Sequence, residues 1–502
     1  MTNQYRPVAA RPAFKGFTTM KQVLILMLLL LANAIEAQTK RVVDVKDGQA
    51  LEALLGEDML EIDTLVVKGS LKHTDFPVMR QCLAKGKLRV IDLGESEVEN
   101  DSLPENAFYI SFDPVHLDSI VLPKTLRVIG NEVFCNPTMR EIRFPTTLKS
   151  IGDMAFNQCN YLKTAIIPEG VESIGAGCFY SCYSLKSVSL PSTIRHLGIE
   201  AFNLCSNLMT IDIPYGIENI GPFAFANIAK IEEMVIPESV KNIEEYAFYD
   251  DWSMRKIVLP NRLAVIVNNV FEDCNRLSDV RWPSELAMIF QEAFKSCGFT
   301  ILALPCKLEA IGNEAFFGNR SLTKLILPES LESIGNAAFA GCENLREVYC
   351  PRQTPPEVQF IHSMANAGSG AANAPQPPFD KIAADAVLYV PIGTKSLYEA
   401  SMFAKGFAEI RETADFPADI NDEIAASDGC SVTGGKGCIS ISANGEPIAY
   451  KVYAAGGQLV AEGVADGTDI VEAPAGICIV SAHGEKTKVV VRYKAQHGAA
   501  RQ

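Results

Sequence analysis

The stretch "LPESLESIGNAAFAGCENL", from Leu327 to Leu345, decides the fold because it is not unique. Its Phe339 ends a series that begins Phe134, Phe156, Phe179, Phe202, Phe225 and continues Phe248, Phe271, Phe294, Phe316. Successive members are 22, 23, 23, 23, 23, 23, 23, 22 and 23 residues apart. An apolar residue followed by proline keeps the same step from Pro123 to Pro351, and Phe108 in "ENAF" is an earlier, less regular member. Both short repeats lose their residue between the Phe and the next apolar run, after Phe134 and after Phe294. Stacked coils tolerate a deletion that falls in one turn.

A fixed period of about 20 to 29 residues with Leu, Ile and Phe at fixed offsets indicates a leucine-rich-repeat solenoid. The expected fold class is an α/β-type repeat solenoid of short stacked strands, about 23 residues per coil. In "SLKSVSL" (Ser184 to Leu190), Leu185, Val188 and Leu190 alternate inward, which reads as a strand. Pro191 ends it by withholding a backbone donor. Ile174-Gly175 reads as a turn, and Phe179 fills the centre. Burial of one such ring contributes about 1.5–3 kcal/mol, so the Phe column is the expected structural core.

Three residues after the Phe stand Cys159, Cys182, Cys205, Cys274, Cys297 and Cys342, with Pro137, Ile228, Asp251 or Asn319 elsewhere. Leucine-rich repeats allow Asn or Cys at a site where a small side chain meets loop backbone groups. Free structural thiols are expected there. Disulfides between neighbouring coils are the alternative an oxidising compartment would permit, although parallel side chains in register rarely bring their Cβ atoms to about 3.8 Å.

The formal charge of −15 argues against nucleic acid and against docking on anionic lipid. "MKQVLILMLLLLANAIEAQ", from Met20 to Gln38, has a positive start, a short apolar run and small residues at its end. It reads as a secretory signal peptide over residues 20–37, with Met20 as the expected start, so the mature chain is expected outside the cytoplasm with no transmembrane segment. The six histidines are scattered, and no HExxH, CxxC or phosphate loop occurs. "YDDW" (Tyr249 to Trp252) reads as a solvated turn, and Cys430 and Cys438 could bridge around "GGKG". No enzyme, cofactor or metal is expected.

The motif LPxxLxxIGxxAFxxCxxL, carried most closely by Leu327 to Leu345 and Ile167 to Leu185, resembles the BspA-like leucine-rich-repeat family of secreted bacterial surface proteins. Glu61 to Val98 looks like that family's N-terminal segment, with a strand at "RVIDL". Ala386 to Glu412 looks like its closing segment, with Val390-Pro391, Tyr398 and Phe407 in the expected roles. In three coils Glu244, Val267 and Phe290 replace the turn glycine, and those turns are expected to differ in shape. The expected organisation is an N-terminal cap with the first irregular repeat (38–118), regular coils (119–351) and a C-terminal cap (352–412) with a flexible insertion (361–378). An acidic linker (413–427) and a small antiparallel β-sandwich (428–493) follow; the last is loosely similar to sorting domains of the type IX secretion route.

Residues two before each proline should face outward, and those proposed for ligand binding are Arg143, Ile166, Val235, Val258, Arg281 and Tyr349. The alternative is surface residues tolerated because they suit strands. A second candidate is the turn after the Phe, with Tyr180, Tyr183, Tyr249, Trp252 and Phe317. The resemblance implies a non-catalytic secreted or outer-membrane-surface module, with adhesion to host matrix or partner bacterial proteins. The alternatives are surface carbohydrate capture and a periplasmic scaffold.

Overall fold

The computed structural model describes residues 39–110, 116–361 and 376–417, together with the strands lying between 426 and 491. The expected signal peptide, most of the 361–378 insertion and the Cys430 and Cys438 side chains lie outside these residues. The chain divides into two compact units, residues 1–193 and 194–502.

In both units the repeat is a leucine-rich-repeat coil with two short strands rather than one. A three-residue strand such as Ser187–Ser189 precedes the proline, and a two-residue strand such as Ser173–Ile174 precedes the turn glycine. Ile174, read from the sequence as part of a turn, therefore ends a strand. Each strand pairs in parallel with its counterpart one coil away: Ser187–Ser189 with Thr164–Ile166, and Ser150–Ile151 with Ser173–Ile174. Between the strands the chain runs in tight turns. Among the described residues the α-helices, Leu51–Leu55, Phe76–Lys85 and Lys395–Glu399, lie outside the regular coils.

The Phe rings stack face to face. In the first unit Phe108, Phe134, Phe156 and Phe179 follow at 5.5, 5.2 and 5.3 Å between centroids. In the second, the column from Phe202 to Phe339 keeps spacings of 5.0 to 5.7 Å. Phe379 then extends it at 5.4 Å beyond the insertion. Phe76 closes the first column edge-on against Phe108, and Phe403 closes the second against Phe379. In the closing segment Tyr398 is fully buried and its hydroxyl donates to the Arg352 carbonyl at 2.9 Å, while Phe407 packs 4.9 Å from Phe379.

The cysteine column is one of buried thiols. Cys159, Cys182, Cys274, Cys297 and Cys342 each direct Sγ to the carbonyl of the Phe one coil back, at 3.1 to 3.4 Å. Asn319 makes the same contact with its amide, donating to the Phe294 and Phe316 carbonyls at 2.8 and 2.9 Å. A small donor is what the site requires, since a buried carbonyl without a partner is costly.

The turn glycine has an equally local cause. A Cβ on Gly175 would lie 2.5 Å from the backbone nitrogen of Asp153, one coil back. Of the three exceptions, Glu244 and Phe290 keep the bond to the preceding coil, donating to Ile220 and Ile266 carbonyls at 3.0 and 2.8 Å. At Val267 no corresponding bond forms, and the ladder of two-residue strands breaks between Asn242–Ile243 and Val265–Ile266. A β-branched residue has the least room to turn away from the neighbouring backbone.

Two further regularities are not visible in residue types. The residues two before and two after each Phe have positive φ, as at Phe223 (55°) and Asn227 (60°), or Tyr246 (60°) and Asp250 (56°). Both 22-residue coils also break the three-residue ladder. After Phe134 the segment 141–143 forms no strand, and after Phe294 the strand Ile301–Ala303 does not pair with Asp279–Arg281. The deletion keeps the Phe in place and costs the strand its register. In the second unit a third break, between Thr210–Asp212 and Glu233–Val235, occurs without a change of length.

Near the C-terminus, described strands between Ala426 and Val491 pair antiparallel in two four-stranded sheets. This change from parallel to antiparallel pairing falls where the sequence changes character.

Candidate functional site

The outward face of the three-residue strands is built by alternation. In Glu233–Val235 the central Met234 is buried, and its neighbours face solvent. Strand pairing then sets Val235, Val258 and Arg281 in one row, with Glu233, Lys256 and Asp279 in the row beside it. Lys256 bridges to Asp279 at 2.8 Å. Three of the six residues singled out in the sequence thus share one row. Val235 is 65% exposed, whereas Val258 and Arg281 are half-buried, and Arg281 Nε has no partner among the described residues.

Farther along the second unit, Ile326, Tyr349, Tyr389 and Arg411 form another row. The rings of Tyr349 and Tyr389 stack at 4.5 Å and 6°, and Lys324 Nζ lies 5.0 Å from the Tyr349 centroid. Burial, then Glu347, pushes the Tyr349 hydroxyl up to about 12. Tyr389 was missed in the sequence, although it stands two residues before Pro391 and so obeys the same offset rule. In the first unit Arg143 and Ile166 also face outward, Ile166 in register with Ser189 and 71% exposed.

The turn after the Phe divides similarly. In the second unit Phe223 stacks on Tyr246 at 4.7 Å, and Tyr246 meets Tyr249 edge-on at 5.7 Å. Trp252 is 55% exposed, and in the first unit Tyr183 is 46% exposed; Tyr180 and Phe317 are half-buried. A charged group missed in the sequence lies on this side. Lys295 reaches Glu272 at 3.0 Å and Glu292 at 2.5 Å, while Asn269 and Gln291 donate to the same two carboxylates. Burial alone would lower Lys295, yet the bonds to Glu292 and Glu272 outweigh it and raise the ammonium. Burial raises the Glu314 carboxyl, aided by Glu292. The group is an ion pair network of one ammonium held between two carboxylates rather than an acid–base pair.

"YDDW" is not the solvated turn expected. Asp251 is 1% exposed because it occupies the cysteine column, where its Oδ1 accepts the Ile228 N–H at 2.7 Å. Among the described residues no group of His, Cys, Asp and Glu could hold a metal ion, and no helix is long and apolar enough to cross a membrane.

Residues 101–214, 127–253 and 241–369 match the model of the BspA type leucine rich repeat region, and together cover more than half of the chain. No curated protein matches. Similar solved structures include a leucine-rich repeat protein from Bacteroides ovatus, at 25% identity over 55% of this chain and 84% of that one, with a TM-score of 0.39. A leucine rich cell surface protein from Faecalibacterium prausnitzii is 22% identical over 58% of this chain and 84% of that one, TM-score 0.36. The pneumococcal vaccine antigen PcpA is 17% identical over 75% and 90%, TM-score 0.40.

Proposed function

Because this chain belongs to the BspA-type leucine-rich-repeat family, we propose that it is a non-catalytic protein-interaction module of the cell surface, acting as an adhesin through its outward strand faces. The observation that carries this reading is the row Ile326, Tyr349, Tyr389, Arg411, which offers aromatic edges, an aliphatic side chain and a cation on a rigid ladder. Tyr and Arg are the side chains most enriched among residues that dominate binding energy. Regular strands also hold them in place before a partner arrives, which lowers the entropic cost of association. We further propose a sorting or anchoring role for residues 428–493, on their loose similarity to sorting domains; a plain terminal β-domain is the alternative.

Protease shaving of intact cells, followed by detection with antibody to the coils, tests the location. Loss of signal supports surface display; protection until the outer membrane is opened leaves a periplasmic scaffold. Adhesion of cells carrying Tyr349→Ala and Tyr389→Ala together should fall at least tenfold, and unchanged adhesion removes this row as the site. A second reading, glycan capture, is favoured by the exposed rings of Trp252 and Tyr183. Retention on immobilised glycans, abolished by alanine at both, would support it.

A further inference from the structure

One column of the coils carries its charges differently in the two units. In the second unit Arg255 stands one coil after Glu232 and donates its amide to the Glu232 carbonyl at 2.7 Å; the two side chains bridge at 3.9 Å. In the same column Arg346 pairs with Asp385 at 3.6 Å. In the first unit the column instead holds Arg140, Lys163 and Lys186 in consecutive coils. Lys163 donates its amide to the Arg140 carbonyl at 3.2 Å, and Lys186 to the Lys163 carbonyl at 2.8 Å, so the three stand in register. All three are exposed, and among the described residues none forms an ion pair or a side-chain hydrogen bond.

Like charges directly opposite one another on neighbouring strands are destabilising. Three cations spaced about 4.8 Å apart therefore repel one another, with no carboxylate in the role that Glu232 plays for Arg255. One coil earlier in the column, Asp118 is engaged by the Thr138 hydroxyl at 2.6 Å. The net charge of −15 does not cancel the row, because charges farther off than about 8 Å are largely screened at physiological salt. Two exposed rings stand beside it: Tyr161, two residues before Lys163, is 47% exposed, and Tyr183, three before Lys186, is 46% exposed. The backbone of the row is already bonded from coil to coil, so side chains are what it offers a ligand.

We propose that the row Arg140, Lys163, Lys186 docks an extended anionic polysaccharide, its carboxylate or sulfate groups pairing with the cations and its sugar rings resting on Tyr161 and Tyr183. A polymer with an anionic group on successive sugars meets cations repeated at coil spacing, and the apolar face of a sugar meets a phenol ring. An acidic peptide fits less well, since extended peptides gain affinity from main-chain bonds that this row does not offer. Arg140 can engage an oxyanion through two parallel N–H donors, whereas Lys163 and Lys186 act as point charges. The inference rests on glycan capture, the second reading of function, and names the class of glycan and the face that takes it.

The test passes the purified full chain over immobilised heparin, polygalacturonate, neutral dextran and polyglutamate, at low and high salt. Heparin or polygalacturonate should bind saturably and weaken as salt rises, and dextran should not bind at this row. Arg140→Gln, Lys163→Gln and Lys186→Gln together should weaken binding at least tenfold, with a melting temperature unchanged or raised because the repulsion is gone. Tyr161→Ala should weaken binding of the glycan and leave polyglutamate unaffected. Binding that survives the triple substitution, or that ignores salt, overturns the row as the site. Polyglutamate bound as tightly as the glycans, through the same three residues and without Tyr161, overturns the partner class in favour of an acidic peptide. Trp252→Ala should leave binding of the anionic glycans unchanged. No binding of either anionic glycan overturns this inference, while neutral-glycan retention that depends on Trp252 would still uphold glycan capture elsewhere.

Discussion

The thiol of Cys274 lies 3.1 Å from the carbonyl oxygen of Phe248, one coil earlier, and both are fully buried. The thiols of this column hold coils together as donors, without a covalent bond. Burial is the main reason they resist ionisation: it pushes Cys342 up to about 12 and raises Cys274 and Cys297 well above an ordinary thiol. Only the thiolate attacks a disulfide. At pH 8 the column should therefore be inert to a disulfide reagent until the chain is unfolded. Cys306, which is exposed, should react at once, and Cys306→Ser should remove one equivalent from the fast phase.

The Phe column makes a direct prediction about stability. Phe225 is 0% exposed and stacks on Phe202 and Phe248 at 5.7 and 5.6 Å. Phe225→Ala should cost about 3–5 kcal/mol, measured by urea unfolding. A curve that overlays the parent would contradict the packing.

Gly341 tests the positive-φ column. Its φ is +73°, and a Cβ there would meet nothing nearer than 3.6 Å, so space is available and only backbone conformation is at issue. Gly341→Ala should destabilise by about 1 kcal/mol. The reciprocal Ala337→Gly, at φ 53°, should be neutral or stabilising, and the two thermal melts should shift in opposite directions or differ by about that amount.

Asp251 tests the price of a carboxyl in a column of neutral donors. Its Oδ2 is buried without a partner among the described residues, and burial, reinforced by Asp250, raises its carboxyl well above the usual range. Below the unfolded value, about 3.9, the proton is held in both states and the contribution to stability is complete. As pH rises towards the folded value, the unfolded chain releases the proton first and stability falls. Asp251→Asn should therefore leave stability unchanged at pH 3.5, raise it at pH 7, and flatten the profile between. The substituted amide can donate where Asn319 does. Equal pH profiles for parent and variant would show that the carboxyl is ionised and satisfied.

The period was legible because every coil repeats the same core, so Phe and Pro report one register again and again. The outward faces followed from that register, and Tyr389 could have been found by extending the offset to Pro391. Other features were hidden for physical reasons. The positive-φ columns are occupied by Leu204, Phe223, Tyr246 and Glu292 as readily as by Gly341, since packing around the Phe fixes the turn against local preference. The Glu272–Lys295 bridge joins residues one coil apart and becomes visible only when coils are laid side by side. Loss of strand pairing at 141–143 depends on how a missing residue is absorbed, which residue identity does not encode.

The ring stack, the thiol-to-carbonyl bonds and the parallel ladders share one property: each reaches the adjacent coil and stops there. Removing residues 317–339, one period of 23, would bring Phe316 directly before Phe379 and recreate a junction of the kind already present. Copy number can therefore drift by whole periods without a new interface having to be invented. The terminal segments cannot be exchanged in this way, because Phe76 and Phe403 present edges where every coil presents a face.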